Sequence, residues 1–185
     1  MAVTDFHNCT VLVADPSPYM AKMLGSILSS LEVGRIIVRS DEGQIKTLLK
    51  DIHFDCLFME WFGQGAPNLD LVNFARQDAE CCNPELPIIV CTGYTDYDRI
   101  IAARDRGATE IIAKPVCPQQ VAQKLKAVLT HKRPFVVAEE YVGPDRRRQQ
   151  KDWDGEDRRT NTQMSQGDID ALMNTSSTQS DAVQP

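Results

Sequence analysis

Four residues able to bind or shift charge each follow or close a short apolar run: Asp15 in VLVADPSP, Glu60 in FDCLFME, Thr92 in PIIVCTG and Lys114 in TEIIAKP. Two carboxylates, a hydroxyl and an ammonium are the equipment of a site for a charged ligand. They form one site only if the runs are strands that end at the same edge of one sheet. In open parallel sheets covered by helices, ligand chemistry sits at the carboxyl ends of the strands.

The elements needed to do this are legible. The runs TVLVA, RIIVR, FDCLFM, PIIVC and TEIIA are short and rich in branched apolar residues, as strands covered on both faces should be. Stretches with apolar residues at helical spacing separate and follow them: Ser17–Leu31, Asp41–Asp51, Leu69–Cys82, Tyr97–Arg106 and Pro118–Lys132. In the last of these, Val121, Leu125, Val128 and Leu129 make one stripe. Ser17 before Pro18 reads as an N-cap with a first-turn proline, and Gly107 as a C-terminal cap. Alternating strands and helices predict an α/β fold, a five-stranded doubly wound parallel sheet over residues 8–132. No G-x-G-x-x-G follows the first strand, which argues against a dinucleotide site.

Composition narrows the class. The chain has 185 residues, a formal net charge of -6, 42% hydrophobic and 25% charged residues, as a soluble globular protein should. The acidic balance disfavours a general DNA binder. No apolar run is long enough to span a bilayer and no signal peptide opens the chain, so the expected compartment is the cytoplasm, without membrane contact. The six cysteines, among them Cys9, Cys56, Cys91 and the pair Cys81-Cys82, show neither C-x-x-C nor zinc spacing to a histidine and read as reduced thiols.

The layout of Asp15, Thr92 and Lys114-Pro115 around the third-strand acid resembles the receiver domain of bacterial response regulators, the CheY-like proteins of two-component phosphorelay signalling. That resemblance implies two acids after the first strand and one after the third, which together hold Mg²⁺. It implies that the third-strand acid, normally aspartate, accepts a phosphoryl group, and that the threonine and lysine follow the new charge. Mg²⁺ demands near-octahedral oxygen ligands, so the carboxylate cluster is a physical requirement.

Three positions depart from the pattern. The acid pair is reduced to Ala14-Asp15, Glu60 stands at the phosphoacceptor position, and the switch position, usually aromatic, is Ile111. One extra methylene carries the Glu60 carboxylate up to roughly 1.5 Å toward the phosphoryl position, and active-site chemistry is sensitive to shifts of about 1 Å. The resemblance therefore implies a degenerate receiver, not an enzyme, with only a weak Mg²⁺ site at Asp15 and Glu60. Two readings of Glu60 stay open: paired with Lys114 it partly imitates the phosphorylated state, or the site has lost its chemistry and the fold serves as a binding scaffold. The contrasting alternative is an active phosphorelay receiver that takes a phosphoryl group with Mg²⁺.

Residues 133–185 read as a flexible tail that cannot bury a core of its own. Its first part, 141–159, is arginine-rich: Asp145, Arg146, Arg147, Arg148, Asp152, Trp153, Arg158 and Arg159. Arginine forks bind phosphates bidentately, an indole offers a stacking surface, and an aspartate can accept from a guanine edge. That inventory suits a phosphate-bearing guanine nucleotide better than duplex DNA, and the segment resembles the extensions of CheY-like effectors that bind cyclic di-GMP. The same stretch also reads as a solvated, self-paired charge run.

Further on, 165–174 reads as a short amphipathic helix. Ser165 and Asp168 form a capping box, and Ile169, Leu172 and Met173 share a face. The string MSQGDIDALMN is similar to the N-terminal peptide of the flagellar motor switch protein FliM, which docks on activated CheY. It implies a partner among flagellar motor or chemotaxis components, or another receiver. An incidental capped turn is the competing reading. The expected function is a non-enzymatic signalling module acting by protein contacts in motility or chemotaxis.

Overall fold

The computed structural model describes residues 5–61, 70–138 and 141–146. Five parallel strands form one sheet in the order β2-β1-β3-β4-β5: β1 Thr10–Ala14, β2 Arg35–Arg39, β3 Cys56–Met59, β4 Ile88–Thr92 and β5 Glu110–Ala113. The five helices are α1 Pro18–Ser30, α2 Glu42–Asp51, α3 Asp70–Gln77, α4 Tyr97–Asp105 and α5 Pro118–Thr130. This is the expected doubly wound architecture.

The strand alternation divides the core into two layers. Val11, Val13, Phe58, Ile89 and Cys91 face α1 and α5, where Leu24, Leu28, Val121 and Leu125 complete one cluster. Leu12, Leu57, Ile88 and Val90 face the other way, onto Ile45, Leu49, Leu71 and Ala103 of α2, α3 and α4. The central strands β3 and β4 are buried along their whole length, whereas β2 and β5 at the edges are partly open. Cys56 and Cys91 act as small core residues, and burial pushes the Cys91 thiol up to about 12, which keeps it protonated. All six cysteines are free. Among the described residues no helix is long and apolar enough to cross a membrane.

Helix ends follow local chemistry. Ser17 caps α1 by accepting from the Met20 amide at 3.4 Å, ahead of Pro18 in the first turn. Gly107 follows the last turn of α4 with φ +97°, a conformation open to glycine. Helix α3 stops at Gln77, short of the expected Cys82, because the Asp78 side chain accepts from the Glu80 amide at 2.9 Å and offers the backbone a turn instead.

The described residues 134–138 and 141–146 correct the first part of the expected tail. Phe135–Ala138 (β6) and Tyr141–Pro144 (β7) pair antiparallel as a hairpin, with Val136 opposite Gly143 and Val137 opposite Val142. The hairpin is too small for a core of its own and borrows one from the five-stranded body. Arg76, buried on α3, donates from Nε and Nη2 to the Gly107 carbonyl at 3.1 and 2.9 Å and from Nη1 to the Pro84 carbonyl at 2.7 Å. Its guanidinium lies 5.5 Å from the Phe135 ring centroid. Burial lowers the Arg76 pKa to about 10, so it stays charged at neutral pH. Gly143 lies directly on Gly107: a Cβ there would come within 2.7 Å of the Gly107 Cα and of the Tyr141 hydroxyl.

Gly143→Ala should therefore lever the hairpin off α4 and lower stability by about 1–3 kcal/mol, the range for overpacking. Urea unfolding of the full chain measures this, and an unchanged midpoint would mean that the hairpin is a passive appendage.

Candidate functional site

Parallel pairing brings the four expected residues to one edge. Asp15 follows β1 and donates its amide to the Arg39 carbonyl at 3.2 Å, while Glu60 follows β3 and donates to the Ala14 carbonyl at 2.9 Å. Thr92 ends β4, and its carbonyl accepts from the Lys114 amide at 2.8 Å just beyond β5. Each side chain thus starts from a backbone position fixed by the sheet.

The geometry centres on Lys114. Its Nζ lies 2.7 Å from Asp15 Oδ2 and 3.0 Å from Glu60 Oε2, so one ammonium bridges both carboxylates. The Glu60 pairing belongs to one of the two readings that the sequence leaves open, and the shorter contact to Asp15 belongs to neither. The remaining oxygens are also engaged. Asp15 Oδ1 accepts from the Ser17 amide at 2.8 Å, and Glu60 Oε1 from the Trp61 amide at 2.8 Å. Side-chain exposure is 6% for Asp15, 12% for Glu60 and 17% for Lys114, so water screens these contacts little. Burial pushes the Lys114 ammonium down, but its hydrogen bonds to Asp15 and Glu60 outweigh this and hold its pKa above the ordinary lysine value.

Thr92 is joined to a residue that sequence reasoning passed over. Trp61 is buried, and its Nε1 donates to Thr92 Oγ1 at 2.6 Å; the same oxygen accepts from the Tyr94 amide at 3.0 Å. The available signal was position alone, an aromatic residue directly after Glu60. Ile111 sits half-buried on β5, opposite Val90, and packs on the α2–α3–α4 layer as an ordinary apolar residue. Ala14 is fully buried opposite Met59, its methyl part of the same layer.

The tail residues divide. Asp145 and Arg146 lie on the hairpin's outgoing end, where the Asp145 amide donates to the Pro134 carbonyl at 2.7 Å. The Arg146 guanidinium stacks 3.9 Å from the Tyr141 centroid, with Nη1 3.4 Å from Asp105 Oδ1. Arg133 donates to the Thr109 carbonyl, at the start of β5, whereas Lys114 follows its end. Arg133 and Arg146 on one side and the acid–lysine site on the other thus occupy opposite ends of β5, about 15 Å apart along the strand. Arg147, Arg148, Asp152, Trp153, Arg158 and Arg159 lie outside the described residues, as do Ser165, Asp168, Ile169, Leu172 and Met173.

A five-stranded sheet of this order, with acids after β1 and β3 and a lysine after β5, defines a receiver-type signalling domain. The chain belongs to the response regulator receiver domain family, whose model matches residues 11–126. The DNA-binding response regulator MtrA of Mycolicibacterium smegmatis is 24% identical over 119 residues, covering 64% of this chain and 50% of that protein. The chain spans about half the length of the curated relatives it matches. Among solved structures, the Vibrio cholerae chemotaxis protein CheY4 superposes with a TM-score of 0.58 at 20% identity, over 65% of this chain and 98% of that one. The receiver domain of the sensor histidine kinase PA1611 from Pseudomonas aeruginosa, solved with magnesium in its active-site cleft, gives 0.56 at 19% identity over 65% and 97%.

Removing the bridge leaves two carboxylates facing each other. Lys114→Met should cost about 3–5 kcal/mol, the range for breaking a buried pair, and Glu60→Gln in the same background should recover part of it. A raised lysine pKa stabilises fully below the unfolded value of about 10.4 and is lost as pH rises through the folded value. The stability gap between wild type and Lys114→Met should therefore narrow in that alkaline window. A gap that stays constant there would show that packing, not charge, is its source.

Proposed function

We propose that this protein is a degenerate receiver, a non-enzymatic signalling module that works through protein contacts without phosphoryl transfer. The observation that carries this reading is the Lys114 bridge, at 2.7 and 3.0 Å, between the two acids left in the site. The residues present do not fit Mg²⁺. The ion needs a set of oxygen ligands, yet Ala14 supplies none and both remaining carboxylates already serve one ammonium. Among the described residues no group of three or more His, Cys, Asp or Glu could hold a metal. Thr92 is likewise engaged by Trp61 and the Tyr94 amide. A single Glu60 charge held by Lys114 favours one conformation, with less charge than the roughly -1.5 to -2 of a phosphoryl group.

The partners proposed are signalling proteins of motility or chemotaxis, on the strength of the FliM-like string MSQGDIDALMN. DNA is not proposed as a partner, since the arginines alternate with acids that would repel a polyanion. A second reading adds cyclic di-GMP as a ligand of the arginine-rich segment. It is favoured by the arginine run that Arg146 opens, with the Arg146 guanidinium stacked on the Tyr141 ring and partly exposed beside the Asp105 carboxylate.

Incubation with a small phosphodonor followed by intact-mass measurement should give no phosphoryl adduct, and calorimetry should give no Mg²⁺ binding. Restoring acids with Ala14→Asp plus Glu60→Asp should create measurable Mg²⁺ affinity. An adduct on Glu60 in the wild-type chain would overturn the proposal in favour of an active phosphorelay receiver.

A further inference from the structure

Helix α4 is weakly seated: of its nine residues only Ala103 is buried. A helix with so little core contact is positioned mainly by its ends. At its start Asp96 accepts from the Arg99 amide at 3.3 Å. At its finish the hairpin grips the connection to β5 at three successive points. Arg146 holds Asp105, the Val142–Gly143 backbone rests on Gly107, and Arg133 holds the Thr109 carbonyl and lies 3.7 Å from Glu110.

The first grip differs from the other two. Gly107 is buried and Arg133 is largely covered, but the Arg146 side chain is 39% exposed. Its contacts are long for charge-assisted bonds: 3.4 Å to Asp105 Oδ1 and 3.3 Å to the Asp105 carbonyl. Asp105 Oδ1 is also shared, accepting from Arg104 Nε and Nη2 at 3.0 Å each. The interaction is nevertheless well placed, because a cation at a helix C-terminus meets unsatisfied carbonyls and the negative end of the dipole. The Tyr141 ring under Arg146 is itself fixed, since its hydroxyl donates to the Pro144 carbonyl at 2.6 Å.

We infer that Arg146 is a positioning residue, a latch that fixes the C-terminal end of α4 to the hairpin and that a phosphate-bearing anion releases by drawing the guanidinium off Asp105. Phosphate offers Arg146 a bidentate partner with closer contacts than the shared Asp105 oxygen. Arg146 also opens the run Arg146-Arg147-Arg148, so the residue that latches the helix is the first residue of the segment suited to such an anion. The release step rests on the nucleotide reading above; the latch itself does not.

Hydrogen exchange on the full chain, read by mass spectrometry, tests both parts. Arg146→Ala should speed exchange across Tyr97–Arg106 about fivefold, the scale of one exposed ion pair with a ring contact, while β1, β3 and β4 stay protected. Asp105→Asn should act in the same direction, and the double variant should be no faster than Arg146→Ala alone. Unchanged exchange in α4 on Arg146→Ala would overturn the latch, as would a global rise that includes the central strands. Cyclic di-GMP added to the wild type should reproduce the α4 effect alongside heat in calorimetry. Heat without any change in α4 would overturn the release step and leave the nucleotide reading intact. No heat would overturn the nucleotide reading and the release step together, and the latch would stand or fall on Arg146→Ala.

Discussion

Lys114 stands between two carboxylates that would repel each other without it. Asp15 comes from the end of β1 and Glu60 from the end of β3, while the lysine follows β5 and reaches them over the end of β4. Burial makes such a bridge costly to assemble and more costly to break, because each partner left alone is an uncompensated charge. The edge of the sheet is thereby tied together by side chains as well as by the backbone bonds of Asp15, Glu60 and Lys114. The one ammonium that offsets the two carboxylates in part belongs to the chain itself.

The same economy applies to the hydroxyl. In a switching receiver the threonine has to be able to follow a newly arrived charge. Here Trp61 is buried against it and donates to its oxygen, and the loop amide of Tyr94 donates as well. Moving Thr92 would strand an indole N–H inside the protein, which costs about 1–3 kcal/mol. The acid, the lysine and the threonine are therefore all present, yet each is occupied by a neighbour within the domain.

Strand and helix identities were legible because they depend on local pattern: branched apolar runs, helical stripes, Ser17 before Pro18, Gly107 after α4. The edge site was legible for the same reason, since residues that close parallel strands must converge. What the pattern does not carry is partner choice. Lys114 could have paired with Glu60 alone; the contact to Asp15 follows from a reach over β4 that no local spacing encodes. Trp61 was passed over because its indole N–H finds its acceptor 31 positions away. The hairpin escaped because 133–146 has no core of its own. It is held by Arg76 and Gly107, residues distant in sequence whose role exists only once α3, α4 and β5 have packed. The helical pattern also overran α3, because a single side chain, Asp78, ends it.

The hairpin changes what an extension of this domain can do. A segment leaving α5 without fixed contacts could bind partners but could not act on the body of the protein. This one returns to the start of β5 and the end of α4, opposite the acid–lysine site. Helix α4 lies between the two regions in sequence: it begins shortly after Thr92 and Tyr94 and ends at Asp105. Because its own burial is slight, its position responds to whatever holds either end. At its start that hold is the Asp96 cap on the Arg99 amide. At the other it is the hairpin, through Arg146 on Asp105, the Val142–Gly143 backbone on Gly107 and Arg133 on the Thr109 carbonyl. Of the hairpin's contacts, Arg146 is more open to solvent than Arg133, so it is where a solute meets the C-terminal end of α4.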